Sequence, residues 1–240
     1  MIKYILVFLI CLGGSLIQGI SGFGYSIFVM AFLPLIMPLK VAAVVVPIQT
    51  IFMGGYIVFK LRKNIDFKMV AVPLVTSILC APVGVYLLLI ADENILRKML
   101  GGVIILFAVF AFINGKNRFR VKANFKNGVI AGLTSGIMSG MFNIGGPPLV
   151  IYFLHAADKT LTYKASLEFI YASKAVSVFI SHLSYGNVDR QVLEYAAAGL
   201  LGSALGCFAG LKLFMKLDKK ILGKAVCILM FALGLLIMFR

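Results

Sequence analysis

Two short stretches, GISGFGYS (19–26) and NIGGPP (143–148), place glycine, serine, asparagine and proline where the chain is otherwise apolar. No charged residue occurs between Tyr4 and Leu39, so the first stretch interrupts a segment with no polar surroundings of its own. Gly22, Gly24, Gly145 and Gly146 permit positive φ and close approach of another chain or a ligand. Pro147 and Pro148 suit the first turn of a helix that restarts after the break, where a missing N–H is harmless. Such a restarted helix offers free N–H groups with partial positive charge, which is anion-binding chemistry. The candidate substrate site takes in Gly19, Ser21, Gly22, Phe23 and Gly24 from the first break. It takes in Asn143, Gly145, Gly146 and Pro147 from the second. Gln18, Ser21, Ser139 and Asn143 flank the breaks as further donors. The plain alternative is close helix packing through small residues.

Polar residues inside apolar segments point the same way. Lys174 stands near the middle of a segment spanning 165–185. A lysine at that depth costs about 3 kcal/mol on insertion scales, so it needs a reason. It is either a cation facing an anion path or one member of a structural pair. Glu168 lies six residues earlier, about 240° around the helix and ~9 Å along it, so the two are poorly placed to pair. Glu168 is either a candidate proton-coupling residue or an interfacial side chain reaching the cytoplasm. Gln49 and Thr50, halfway through the second segment, can donate to an oxyanion or bond a neighbouring helix. His155 and His182 fall at segment ends and read as interfacial. The four cysteines lie inside apolar segments with no C-x-x-C pair, as small core residues do.

These groups need a membrane-embedded scaffold. The chain is 62% hydrophobic and 13% charged, too apolar to clothe a soluble domain of 240 residues. Apolar segments fall at about 4–38, 41–59, 69–91, 95–114, 127–157, 165–185, 191–211 and 221–239, each long enough for a crossing. The class is therefore an all-α polytopic membrane protein. The net charge of +15 sits between the apolar segments rather than on a folded polar domain, which argues against nucleic acid. The N-terminus imitates a signal peptide, but it has a counterpart later in the chain, so no cleavage is expected.

The chain repeats itself. At an offset of 121, Leu12, Gly19 and Gly24 fall on Leu133, Gly140 and Gly145. At 123, NID (64–66) falls on NVD (187–189), and at 122 Gly84 falls on Gly206. A first membrane repeat (1–115), a basic linker (116–126) and a second repeat (127–240) follow. Segments one and five are anomalous: the 35 residues from Tyr4 to Pro38 would make a helix of roughly 52 Å. If each crosses once, the basic residues divide 12 against 10 between the two sides. If each turns at its break and returns, they divide 16 against 6, counting Lys159 and Lys164 as loop residues. The second division fits the positive-inside rule. It predicts a cytoplasmic loop at 114–127 and both termini outside. A re-entrant hairpin plus three crossings is an odd count, so the two repeats are expected to be inverted, a plan used by secondary transporters.

The stretches GISGFGYSIFVMAFLPLIMP and GIMSGMFNIGGPPLVIYFL resemble the TauE/SafE family of sulfite-exporter-like permeases, and the resemblance spans essentially the whole chain. It implies transport of a small anion across a cell membrane, such as the bacterial inner membrane. The implied substrates are sulfur oxyanions or organosulfonates such as sulfite, thiosulfate or sulfoacetate, or other organic anions. Apart from the resemblance, a coupling proton or ion is a candidate partner beside the lipid bilayer and the anion. The other readings are an anion channel and a non-transporting membrane scaffold. No enzyme is expected. There is no H-E-x-x-H, and Gly132–Gly136 and Gly136–Gly140 put two residues before the serine, not one. No metal or cofactor is implied.

Overall fold

The computed structural model describes residues 1–114, 122–157, 159–213 and 231–239. Most of the expected linker, the basic run at 216–224, Cys227 and the start of the last expected segment lie outside the described residues. Every regular element among the described residues is a helix. The α-helices are α1 (Ile2–Ser21), α2 (Tyr25–Phe32), α3 (Leu39–Leu61), α4 (Phe67–Ile90) and α5 (Glu93–Asn114), then α6 (Phe125–Phe142), α7 (Gly146–Ala156), α8 (Thr160–Ser184) and α9 (Arg190–Leu213), with short 3-10 turns at Leu33–Leu35 and Arg62–Asn64. A further helix, α10, covers 231–239. Helices α1, α3, α4 and α9 are each long and apolar enough to cross a membrane. Large apolar side chains such as Phe52, Leu79, Leu106 and Leu201 face outward, as a lipid-facing belt requires. The protein is an all-α polytopic membrane protein.

The two long apolar stretches are helical hairpins, each turned at its glycine-rich break. A Cβ on Gly13 would meet Phe28, one on Gly14 would meet Tyr25 and Val29, and one on Gly24 would meet Ile17. Partner numbers rise as the others fall, so α2 runs back along α1. Likewise Gly128 lies against Tyr152, and the Ser135 hydroxyl reaches the Gly145 carbonyl, so α7 runs back along α6.

Short polar caps start the helices that cross. Asp66 accepts from the Lys68 and Met69 amides at the start of α4. Asp189, its counterpart in the repeated NVD, accepts from the Val192 amide at 2.7 Å in the first turn of α9. The matched tripeptides thus mark the same structural event: a carboxylate satisfying N–H groups that have no partner inside the helix.

Packing follows the same duplication. The largest interfaces are α1 with α9 and α4 with α6; α3 meets α9 as α8 meets α4, and α3 packs on α8. Exchanging the two halves maps these pairings onto one another. Glycines bring the paired backbones together. A Cβ on Gly84 or Gly140 would strike the facing backbone, and one on Gly19 would come within 2.7 Å of Gly210. Without water to drive helices together in lipid, such close approach supplies the packing energy. Both pairs run parallel: Gly132, Gly136 and Gly140 face Pro73, Ser77 and Ala81 in order, and Gly202, Gly206 and Gly210 face Phe8, Leu12 and Leu16.

The interface predicts a contrast between two glycines. Gly140→Val forces α4 and α6 apart and is expected to cost about 3 kcal/mol or more. Gly55→Val projects into open space and is expected to be nearly neutral. Thermal unfolding of the purified protein in detergent reads the difference; equal midpoints would refute this account of the packing.

Candidate functional site

The first break is built by left-handed backbone. Gly22 ends α1 at φ 83°, its amide bonding the Gln18 carbonyl at 2.7 Å. Gly24 precedes α2 at φ 103°. Glycine is needed at both because side chains rarely adopt these angles. Turning the chain frees the groups at the helix ends, and side chains of α8 and of α1 itself satisfy them. The Lys164 ammonium donates to the Gly19 carbonyl at 2.6 Å. The Tyr25 amide, the first of α2, donates to Gln18 Oε1 at 3.2 Å, and Gln18 Nε2 donates to Glu168 at 2.9 Å.

The second break is built differently. Gly145 and Gly146 permit positive φ, but neither uses it: Gly145 has φ −95° and Gly146 already belongs to α7. The left-handed residue is Asn143 at φ 58°, and its Nδ2 donates to the Ala43 carbonyl at 2.9 Å. Asparagine tolerates this conformation better than other side chains do. Gly145 is glycine for space: a Cβ there would strike Ser139 Oγ, Lys174 Nζ and the Ser135 carbonyl. Pro147 and Pro148 occupy the first turn of α7 as expected. They also remove two of its N–H groups, so the α7 end offers fewer donors than the α2 end.

Between the two tips lies a small cavity. It has about 40 Å³ of room for water centres, enough for roughly three waters. Gly24, Ser26 and Ile27 line it from the start of α2, and Asn143, Gly145 and Gly146 from the second break. Gln18, Thr50, Ser139, Tyr171 and Lys174 complete its polar wall. Lys174 is 4% exposed, with Nζ 2.7 Å from Ser135 Oγ and 5.3 Å from the centre of the Tyr171 ring. Ser135 in turn donates to the Gly145 carbonyl at 2.5 Å, tying the lysine to the broken backbone. Among the described residues no carboxylate pairs with Lys174. The hydroxyls of Ser139 and Tyr171, both buried on this wall, have no hydrogen-bond partner among the described residues. A buried cation beside unpartnered donors is an environment that an anion would complete.

Of the residues singled out by sequence, Gly24, Thr50, Asn143, Gly145, Gly146 and Lys174 meet at this cavity. Gly19 packs on α9, and Gln49 donates to the Ala196 carbonyl in the α3–α9 interface. Gly22 lies against Lys164, and Phe23 packs edge-on to Phe107. Pro147 is buried beside the cavity wall. The side chains of Ser21 and His155 lie outside the described residues. Three placements expected from the sequence are overturned. Glu168 does not reach an interface: it is 0% exposed, held by Gln18. His182 is also fully buried, beside Asn187 at 3.4 Å. Lys164, counted as a loop charge, is buried at the end of α1, because a freed carbonyl attracts a cation more strongly than the loop does. Sequence reasoning passed over Ser135, Tyr171 and Lys164. Their spacing carried a signal: Lys164, Glu168, Tyr171 and Ala175 share one face of α8, and Ser135 and Ser139 one face of α6.

Comparison with known proteins is consistent with this architecture. A family model described as "Sulfite exporter TauE/SafE" matches residues 6–237. A relative from Cupriavidus necator, "Probable sulfite/organosulfonate exporter TauE", is 23% identical over 188 residues, covering 77% of this chain and 73% of the relative. No solved structure matches.

The crowding at the second tip separates two neighbouring glycines. Gly145→Ala must displace Lys174 and Ser139 and is expected to cost roughly 2–3 kcal/mol. Gly146→Ala meets only the Tyr171 hydroxyl, at 3.3 Å, and is expected to cost less than about 1 kcal/mol. Unfolding midpoints in detergent test this. A Gly145→Ala protein as stable as the parent would show that the tip is not crowded.

Proposed function

The chain belongs to the sulfite exporter TauE/SafE family, and from that premise we propose that it is a secondary carrier for a small sulfur-containing anion. Its family is one of transporters, not enzymes. The substrate class is a sulfur oxyanion or an organosulfonate, such as sulfite, thiosulfate or sulfoacetate. The relative's name, which speaks of sulfite and organosulfonates, supports this class. The observation that carries the reading is Lys174: a buried ammonium with no carboxylate partner among the described residues, facing a cavity with two unpartnered hydroxyls.

The anion binds between the two tips. Lys174 supplies the countercharge, Ser139 and Tyr171 supply hydroxyl donors, Thr50 lines the wall with its hydroxyl bonded to the Val46 carbonyl, and the start of α2 supplies N–H groups with a favourable dipole. Ile27, Ile144 and Val178 form apolar walls that exclude water and strengthen each polar contact. Access alternates as the two halves rock about the site. The exchange-symmetric pairing of helices supports an inverted repeat, which allows one site to open to either face in turn. The location that fits is the cell membrane of a bacterium, with the 114–127 loop in the cytoplasm and both termini outside.

Reconstitution into vesicles tests the proposal. Saturable flux of sulfite, thiosulfate or sulfoacetate is expected from the parent protein. Lys174→Met is expected to reduce it at least about tenfold, the loss of one buried charge-assisted contact being worth roughly 1.5–3 kcal/mol, while the protein still inserts and unfolds cooperatively. Unsaturable conductance would mean a channel. A Lys174→Met or Gly145→Leu protein with unchanged flux would remove the site from the path, and the absence of any flux in the parent protein would favour a scaffold.

A further inference from the structure

A second buried ionisable group stands behind the cavity and is wired to it. Glu168 is 0% exposed, and its Oε1 has no hydrogen-bond partner among the described residues. A buried carboxylate with an idle oxygen is expensive to keep for structure alone. Its other oxygen accepts from Gln18 Nε2 at 2.9 Å, while Gln18 Oε1 accepts from the Tyr25 amide at 3.2 Å. Gln18 itself lines the cavity, as do Gly24 and Ser26 on either side of Tyr25. One amide side chain therefore joins the carboxylate to the first donor of α2. The ionisable groups within electrostatic reach of Glu168 are Lys164, Tyr163 and Tyr171 on α8 and Cys207 on α9, which in turn feels Lys60 of α3. From α1 it is faced by the neutral Gln18.

We propose that Glu168 is a proton-binding site coupled to the anion cavity through Gln18, so that proton and anion move in the same direction; this rests on the carrier reading above. With Glu168 ionised, Gln18 must turn its NH₂ to the carboxylate and its oxygen to Tyr25. The Tyr25 N–H is then withheld from the cavity. A proton on Glu168 creates a hydroxyl donor, and the acceptor it finds is Gln18 Oε1 once the amide turns over. The Tyr25 N–H loses its acceptor and joins the donors at the start of α2. The same proton removes the negative charge beside Lys164, which makes the potential around the tips more positive. Both changes favour an anion in the cavity, and by linkage a bound anion favours the proton by the same factor. The sign is fixed: anion binding tightens as pH falls.

The test uses the full chain in vesicles carrying an internal pH dye, with labelled thiosulfate and sulfoacetate, which are fully ionised at neutral pH and bring no proton of their own. In the parent protein, an imposed anion gradient is expected to move protons with it, and the KM for the anion to fall roughly tenfold toward acid pH, within the usual range of coupling between sites. Glu168→Gln is expected to move anion without protons, with a KM held at the acid-side value at every pH. Gln18→Leu keeps the carboxylate but removes the relay, and is expected to weaken the pH dependence of KM, leaving only the part that comes from the charge on Glu168. Anion flux without proton movement in the parent protein would overturn this inference and leave the carrier reading standing. Proton-coupled flux surviving in Glu168→Gln, or an unaltered pH dependence in Gln18→Leu, would overturn it as well. No saturable flux of either anion in the parent protein takes both readings with it.

Discussion

The structure depends on one constraint: backbone interrupted in an apolar surrounding has no water to satisfy it, so the protein must. Each hairpin tip releases carbonyls at the end of one helix and N–H groups at the start of the next. The releases are answered by side chains. Lys164 answers the Gly19 carbonyl, Ser135 the Gly145 carbonyl and Gln18 the Tyr25 amide. Asn143, at the second tip, in turn satisfies the Ala43 carbonyl, which Pro47 leaves without an amide partner inside α3. Polar residues that are costly in an apolar core become required once the chain turns inside it. The same groups that repair the backbone also assemble a polar pocket.

Satisfying the tips is possible only because the surrounding helices come close. The α1–α9 and α4–α6 pairs approach through glycine, so that a single added methyl would collide with a facing backbone. That closeness holds each hairpin against a helix of the other half, and it leaves α8 between them with Lys164, Glu168, Tyr171 and Lys174 directed inward. Packing and chemistry are therefore two uses of the same residues. Gly145 illustrates it: its missing side chain is what allows Lys174 and Ser139 to reach the tip.

The two halves of the chain are alike in plan and unlike in detail. At matched positions Gly22 and Asn143 both take the left-handed turn, yet Gly22 lies beside a lysine stem and Asn143 is anchored by its own side chain. The first tip retains N–H groups after Tyr25, whereas the proline pair strips them from the second. Much of this was legible in advance. The breaks, their pairing at a nearly constant offset, the turning back of both long segments and the oddness of Lys174 followed from composition and spacing. The membrane class followed from hydropathy. What went astray had a common cause: Lys164, Glu168 and His182 were placed by their position along a segment, and segment ends were equated with an aqueous boundary. In the fold, the helix end that carries Lys164 and Glu168 is buried because a hairpin tip is lodged against it.

By itself, the sequence determined the elements: how many apolar stretches there are, where they break, and which polar residues lie inside them. Those are properties of local composition and periodicity, and they survive without knowledge of any partner. Only the tertiary structure decided which polar residues share a cavity and which merely repair the backbone. Gln49 and Thr50 are neighbours in the chain, yet one is spent on the Ala196 carbonyl and the other faces the pocket. The 100° step between successive helical residues sends them to different helices. No pattern in one segment records what stands opposite it, because that is set by how closely the glycine-paired helices of the two halves approach.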